Sequence, residues 1–355
     1  MIASAKVRLI STGALLCALA LMVGCESAPP PAAAPPPPVA VAPPPPPVLL
    51  PRNVVELASI YESYVQRASV INPSFNNADA VATSLKTGEG YEIDQFQRGQ
   101  TAYGAIVALQ DPTFVASLRE FARDAGRRSQ VANQLVADPS YAATFKGADS
   151  AAGLVIAAFS QHGQAMLATG AKIHQAAYDV QHQPWSKADV LDRPGRLALA
   201  KSLSTAQQRA IEADAQRLQQ NAEGSQPMGL AAPPAAPPYT PLVARSLAVA
   251  AMAALGEGGE EYAPQLTALL VENNEGQCLK MAKLNLYQCL AVSKPHYEDV
   301  FCLGQHAVQD TGQCIMKGAV AGYAPPQRPV VATPVADVKP APSKKVRKKK
   351  AASAG

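Results

Sequence analysis

Apolar positions recur at helical spacing along most of this chain. Val54, Leu57, Ala58, Tyr61, Tyr64, Val65, Ala68 and Ile71 return every three or four places, which puts them on one face of a helix. Phe114, Leu118, Phe121 and Ala125 repeat the pattern, as do Leu154, Val155, Ala158 and Phe159. Alternating β-branched runs are missing, while Ala, Gln and Arg abound, so an all-α fold is predicted.

Helix starts are marked by a recurring tetrad: Asn72-Pro73-Ser74-Phe75, Asp111-Pro112-Thr113-Phe114 and Asp138-Pro139-Ser140-Tyr141. The Asn or Asp side chain accepts from the free N–H groups of a first turn, and Pro at the first helical position gives up no hydrogen bond. A helical repeat is one reading of the three copies; a common helix opener used three times is the favoured one. Ser204-Thr205-Ala206-Gln207 reads as a capping box opening a polar helix that runs through Ile211 and Leu218 to Asn221. The Pro- and Ala-rich stretch at residues 224–241 reads as a linker. The pattern therefore predicts a helical domain at 52–223 and a smaller four-cysteine helical domain at 242–321.

The N-terminus carries an address. Lys6 and Arg8 precede an unbroken apolar run at residues 14–23, shorter than the ~20 residues a bilayer-spanning helix needs and suited to an export signal. The run ends in Met22-Val23-Gly24-Cys25, which resembles the lipobox of bacterial lipoproteins, with Met22 where that family prefers Leu. The resemblance implies cleavage of a signal peptide at residues 1–24 and a lipid anchor on Cys25. Glu26, rather than Asp, follows the cysteine, and by the family's sorting rule this favours the outer membrane, with the body facing the periplasm. Thirteen of the 32 prolines lie at residues 29–51, so residues 25–51 read as a stiff polyproline stalk below the folded body. At ~3.1 Å per residue such a stalk reaches ~80 Å.

Net charge changes the picture only locally. Nine of the 31 basic residues belong to the leader and to the tail from Val338, leaving 22 against 27 acidic residues in the rest of the chain. A basic nucleic-acid groove is not expected from that balance. The tail at 322–355 reads as disordered; from Val338 on its cations are Lys339, Lys344, Lys345, Arg347, Lys348, Lys349 and Lys350. Anionic lipid or cell-wall polymer is its candidate partner, and a merely solvated tail is the alternative.

Cys17 leaves with the leader, and four cysteines remain beside Cys25: Cys278, Cys289, Cys302 and Cys314. An even set in an exported protein reads as disulfides, in any of three pairings. Cys278 and Cys289 are eleven positions apart, three helical turns along one face. Pro295 breaks the chain, and a second helix from His296 carries Cys302 and Cys314, twelve apart. Antiparallel folding of the two helices favours Cys289–Cys302 with Cys278–Cys314. This region resembles the twin-cysteine hairpin of the coiled-coil-helix–coiled-coil-helix proteins, although its spacings exceed that family's by one and two residues; only the geometry is carried over. Twelve residues overshoot three turns by ~120°, so Cys314 falls off the ideal face, and Gly312 is expected to loosen the helix there. A competing zinc reading uses Cys302, His306 and His296.

Catalytic signals are sparse. Ser160 with His162, or His174 with Asp179, lack a nucleophile elbow. His162, His174 and His182 do not share a metal-binding helical spacing and are expected on polar helix faces. Glu89, Glu92 and Asp94 surround a Gly-Glu-Gly-Tyr turn, where a muramidase-like acid competes with simple helix capping. With one Trp and seven Phe, an aromatic carbohydrate platform is poorly supplied. No cofactor or resident metal is expected. The sequence reads as a membrane-anchored envelope lipoprotein, non-enzymatic, with a structural or partner-binding role towards an envelope protein of unknown identity; a peptidoglycan hydrolase is the alternative.

Overall fold

Helices supply all the regular structure, as the periodicity predicts: no strand occurs among the described residues of this computed structural model, which are 46–271 and 276–325. The leader, Cys25, most of the stalk and the tail cations lie outside the described residues. The first helix, α1 (Arg52–Ser69), buries Val54, Ala58, Tyr61, Tyr64, Val65 and Ala68, the face its spacing marks. It lies against α3 (Ile93–Ala108), which comes after α2 (Ala78–Glu89). Next come α4 (Pro112–Phe121), α5 (Ala125–Ala137), a 3-10 turn at Pro139–Thr144 and the long α6 (Ala148–Asp179).

The three Asx-Pro tetrads open three different structures. At the second, Phe114 N–H donates to Asp111 Oδ1 at 2.8 Å and Pro112 starts α4 as expected. The third caps only the 3-10 turn, through Ser140 N–H to Asp138 Oδ1 at 2.9 Å. The first makes an isolated turn in which Ser74 N–H reaches Asn72 Oδ1 at 2.9 Å; α2 begins later, capped by Asn77. The same side-chain acceptor serves any tight turn, and the burial of the next residues decides whether a helix continues. The copies therefore define no repeat.

Beyond a short turn of helix, α7 (Pro184–Lys187), lie α8 (Arg193–Leu203) and α9 (Glu212–Ala222). The capping box expected at Ser204 does not form: Ser204 ends α8 instead of opening a helix, and α9 starts at Glu212. Its hydroxyl donates back to the Ala200 carbonyl at 2.9 Å and accepts from Lys283, so it is not free to cap residues 205–207.

The chain then runs through the proline-rich stretch to α10 (Pro241–Leu255), α11 (Ala263–Leu269), α12 (Gly276–Val292), α13 (His296–Cys302) and α14 (Asp310–Ala319). In the structure the stretch at 224–241 does not separate one core from another. It lies along the helices as a strap: Met228 N–H donates to Gln110 Oε1 at 3.1 Å and Ala235 N–H to the Asp149 carbonyl at 2.9 Å. Gly153 of α6 has no Cβ where the Pro233 carbonyl passes. Beyond the strap, α10 is apolar apart from Arg245 and Ser246 and buried along nearly its whole length, against α3, α4, α5 and α6. A helix of that kind belongs in the middle of a large core rather than on the surface of a small domain. Among the described residues, those expected as two domains thus share one hydrophobic core.

Candidate functional site

Two disulfides join α12 to the α13–α14 arm: Cys278–Cys314 with Cα atoms 5.6 Å apart, and Cys289–Cys302 with Cα atoms 5.7 Å apart. Both separations suit a disulfide, and the pairs are those favoured by the antiparallel hairpin. The unequal cysteine spacing is absorbed by a π-helical stretch, Leu303–Gln309, between Cys302 and Cys314. A π turn bonds i to i+5 and so takes in an extra residue, which lets twelve positions cover the rotation that eleven cover on α12. The loosening expected at Gly312 is thus at 303–309. Gly312 instead lets the arm cross α6 closely: a Cβ on it would lie 3.0 Å from the Gly163 carbonyl oxygen. Gly304 meets Gly170 of α6 in the same way, at 3.0 Å.

Each disulfide borders an open cavity. One, of about 620 Å³, runs beside Cys278–Cys314 and includes Met281, His306 and Asp310. The other, of about 340 Å³, lies beside Cys289–Cys302 and is walled by Tyr178, Val292, Tyr297 and Phe301. Val292 is 74% exposed and Tyr178 49% exposed, an unusual display for large apolar side chains so close together.

The sequence candidates for chemistry are dispersed. Cys302 is in a disulfide, His306 Nδ1 pairs with Asp310 at 2.8 Å, and His296 borders a third cavity. Among the described residues no three His, Cys, Asp or Glu side chains converge as metal ligands. His162 is not on a polar face: it lies between Tyr61 and Tyr103, its Nδ1 3.2 Å from the Tyr61 hydroxyl, and burial pushes its pKa down to about 4. His174 packs at a tilt against the Phe301 ring, and Asp179 accepts from Gln175. Glu92 is a helix cap, accepting from Asp94 and Gln95 N–H groups, and Asp94 is exposed in the first turn of α3.

Glu89 behaves differently, and it belongs to a group that sequence reasoning misses. It is the last residue of α2, 2% exposed. Beside it Lys283 of α12 is 4% exposed. Lys283 Nζ donates to the Glu89 carbonyl at 2.6 Å and to Ser204 Oγ at 3.0 Å, and sits 3.6 Å above the Tyr91 ring. Burial pushes the Lys283 ammonium down to about 7 and the Glu89 carboxyl up to about 8. Nearby, Arg196 of α8 pairs with buried Asp299 of α13 and donates to the Leu290 carbonyl, while Ser293 Oγ donates to Asp299 at 2.7 Å. Arg193 takes the Ser293 and Ala291 carbonyls at 2.7 and 2.8 Å, so two arginines of α8 satisfy the C-terminus of α12. A readable signal exists: Leu279, Ala282, Lys283, Leu286 and Leu290 share one helical face, and a lysine inside such a stripe is a buried lysine.

Ser204 and Lys283 are within hydrogen-bonding distance, the pairing of Ser–Lys nucleophiles, yet both are buried and the Ser204 hydroxyl is directed at a backbone carbonyl. The cavity of about 240 Å³ against this cluster is bordered by Glu89, Arg196 and Asp299 and by neither member of the Ser–Lys pair. Comparison with protein-family models, with curated proteins and with solved structures found no match. Among the described residues no helix is long and apolar enough to cross a membrane.

Proposed function

We propose that this chain is an envelope lipoprotein, anchored through Cys25, whose disulfide-linked helical body binds a partner protein of the cell envelope and catalyses no reaction. The observation that carries the reading is the groove beside Cys289–Cys302. Oxidised cysteines belong to an export compartment, in line with the lipobox-like leader. The Tyr178, Val292, Tyr297 and Phe301 side chains lining it offer a partner the aromatic, apolar surface that protein interfaces favour. The tail cations fit the same address, as a loose contact with anionic lipid or cell-wall polymer that salt would release.

The hydrolase alternative draws on Glu89, since a carboxyl that holds its proton at neutral pH is what an acid catalyst needs. A cavity of about 240 Å³ walled by Val81, Leu85 and Leu199 is small for a polysaccharide strand, so partner binding is preferred. The test is photo-crosslinking from Val292 in cells expressing the wild-type or Cys25→Ser chain. A discrete crosslinked species that disappears when Cys25→Ser leaves the membrane supports the reading. Equal lipid mass and membrane fraction in both chains overturns the anchor; release of soluble fragments from cell-wall sacculi by the purified chain overturns the non-enzymatic role.

A further inference from the structure

The chain turns back on itself where α14 ends. Tyr323 N–H donates to the Val320 carbonyl at 3.1 Å, and Gly322 has φ +72°. A positive φ at the third residue of a hydrogen-bonded four-residue turn is type II geometry, which reverses the chain. Residues beyond Pro325 are therefore directed back along α14. One side of that helix is filled: Gly312 and Met316 lie against Gly163 of α6. The opposite side, with Gln313, Cys314 and Lys317, lines the open cavity of about 620 Å³ shared with α12.

This groove offers apolar surface and neutral amides. Met281 of α12 is 44% exposed there. Gln277, Asn285 and Gln313 border it with side chains that both donate and accept. Such a lining suits an extended peptide, whose backbone makes no hydrogen bonds of its own. The carboxylate at the groove, Asp310, is taken by His306 and Gln305, and Lys317 disfavours further cations. We propose that the groove holds a segment of the chain's own tail, Pro329–Val335, in extended form. That segment reads Pro-Val-Val-Ala-Thr-Pro-Val and carries no charge, unlike the cations that follow from Lys339. Pro329 is four residues beyond Pro325, within ~14 Å of chain. Its seven residues cover ~20 Å at ~3.1 Å per residue. The groove's share of the arm, from Gly318 back to His306, is at most ~18 Å at 1.5 Å per residue. Docking there keeps the cation cluster close to the body and leaves the separate groove beside Cys289–Cys302 open to a partner.

The experiment is photo-crosslinking of the purified full chain in mild detergent, with benzoylphenylalanine in place of Met281. Equal amounts of heavy-isotope-labelled and unlabelled copies are mixed before irradiation. The peptide bearing position 281 is expected to join the peptide bearing Pro329–Val335 of the same chain, so crosslinked pairs do not mix isotopes. The yield should survive high salt, because apolar burial is not screened as exposed charge contacts are. Val330→Asp with Val331→Asp should lower the yield about tenfold or more, since charges replace two apolar side chains. Helical circular dichroism should stay unchanged in that variant. If the change at Met281 disturbs the fold, exposed Gln277 on the same lining is the second position for the photoreactive group. Mixed-isotope pairs, which would put the tail of a second copy in the groove, overturn the proposal. So do a yield lost in high salt, an undiminished yield in the double Asp variant, or no crosslink to the tail from either position.

Discussion

Helices α10 and α12 lie in the same core but are held there by opposite means. Apart from Arg245 and Ser246, which donate to the Leu269 and Thr101 carbonyls, α10 is apolar, and its neighbours grip it chiefly by shape: Gly104 of α3 has no Cβ where Ser246 approaches. On α12 the apolar stripe is narrower, and directional bonds hold it: two disulfides, the buried Lys283 and the arginine caps from α8. The difference teaches that the fold packs by shape the helix with few polar side chains and ties down the helix with more. It also divides the two helices by what should destabilise them: lost volume for α10, lost covalent and charged partners for α12.

The largest effect is expected on α10. Leu247 is fully buried, and Leu247→Ala should cost ~2–5 kcal/mol, because dense surroundings relax little around the cavity left behind. Denaturant unfolding measures it. A cost below ~1 kcal/mol would mean that the surroundings of α10 collapse freely and that shape is not what holds it.

Next come the disulfides of α12. In the chain-entropy account, Cys278–Cys314, which closes 36 residues, contributes about 4 kcal/mol, and Cys289–Cys302, which closes 13, about 3 kcal/mol. Paired Cys→Ser variants should therefore rank in that order in urea. The reverse order would show that native-state packing around the groove, rather than chain entropy, sets the contribution. Under reducing conditions α12 should lose protection from hydrogen exchange before α10 does.

Legibility in the sequence obeys the same division. The α1 stripe is readable because Tyr61, Tyr64 and Val65 recur among polar neighbours at helical spacing, and the cysteine pairs because antiparallel helices leave few ways to join them. The place of α10 is not readable: a helix with no extended polar face gives little direction for packing, and the prolines before it resemble a linker although they form a strap. The capping box at Ser204 fails because the hydroxyl's partner, Lys283, is 79 positions away. Of the buried cluster, Glu89 stands out in the sequence, but for a turn and a cap rather than for the buried lysine beside it. Arg196 and Asp299 have no local signature, since each matters only once α8 meets α13.

The smallest effect, and the most specific to α12, is a pH dependence that α10, with no buried ionisable group of its own, cannot produce. Folding raises the Glu89 pKa from 4.5 to about 8, so the folded chain holds more protons between those values. The stability from Glu89 is fully present below pH 4.5 and is lost as pH rises to about 8. Folding lowers the Lys283 pKa from 10.5 to about 7, so there the unfolded chain holds more protons. Its contribution is fully present above pH 10.5 and is lost as pH falls to about 7. Together the two groups place a trough in stability at pH 7–8, with flanks of at most ~1.4 kcal/mol per pH unit. Other groups titrate in the same range, His162 among them, so the quantity to measure is a difference. The unfolding free energy of a Glu89→Gln, Lys283→Met double variant, minus that of the wild type, should peak near pH 7.5 and decline towards pH 4.5 and pH 10.5. A Leu247→Ala variant treated in the same way should give a difference that does not vary with pH, because the volume it removes carries no proton. A flat difference for the double variant would mean that Glu89 and Lys283 keep their ordinary titration in the fold, and α12 would then be held by its disulfides and arginine caps alone.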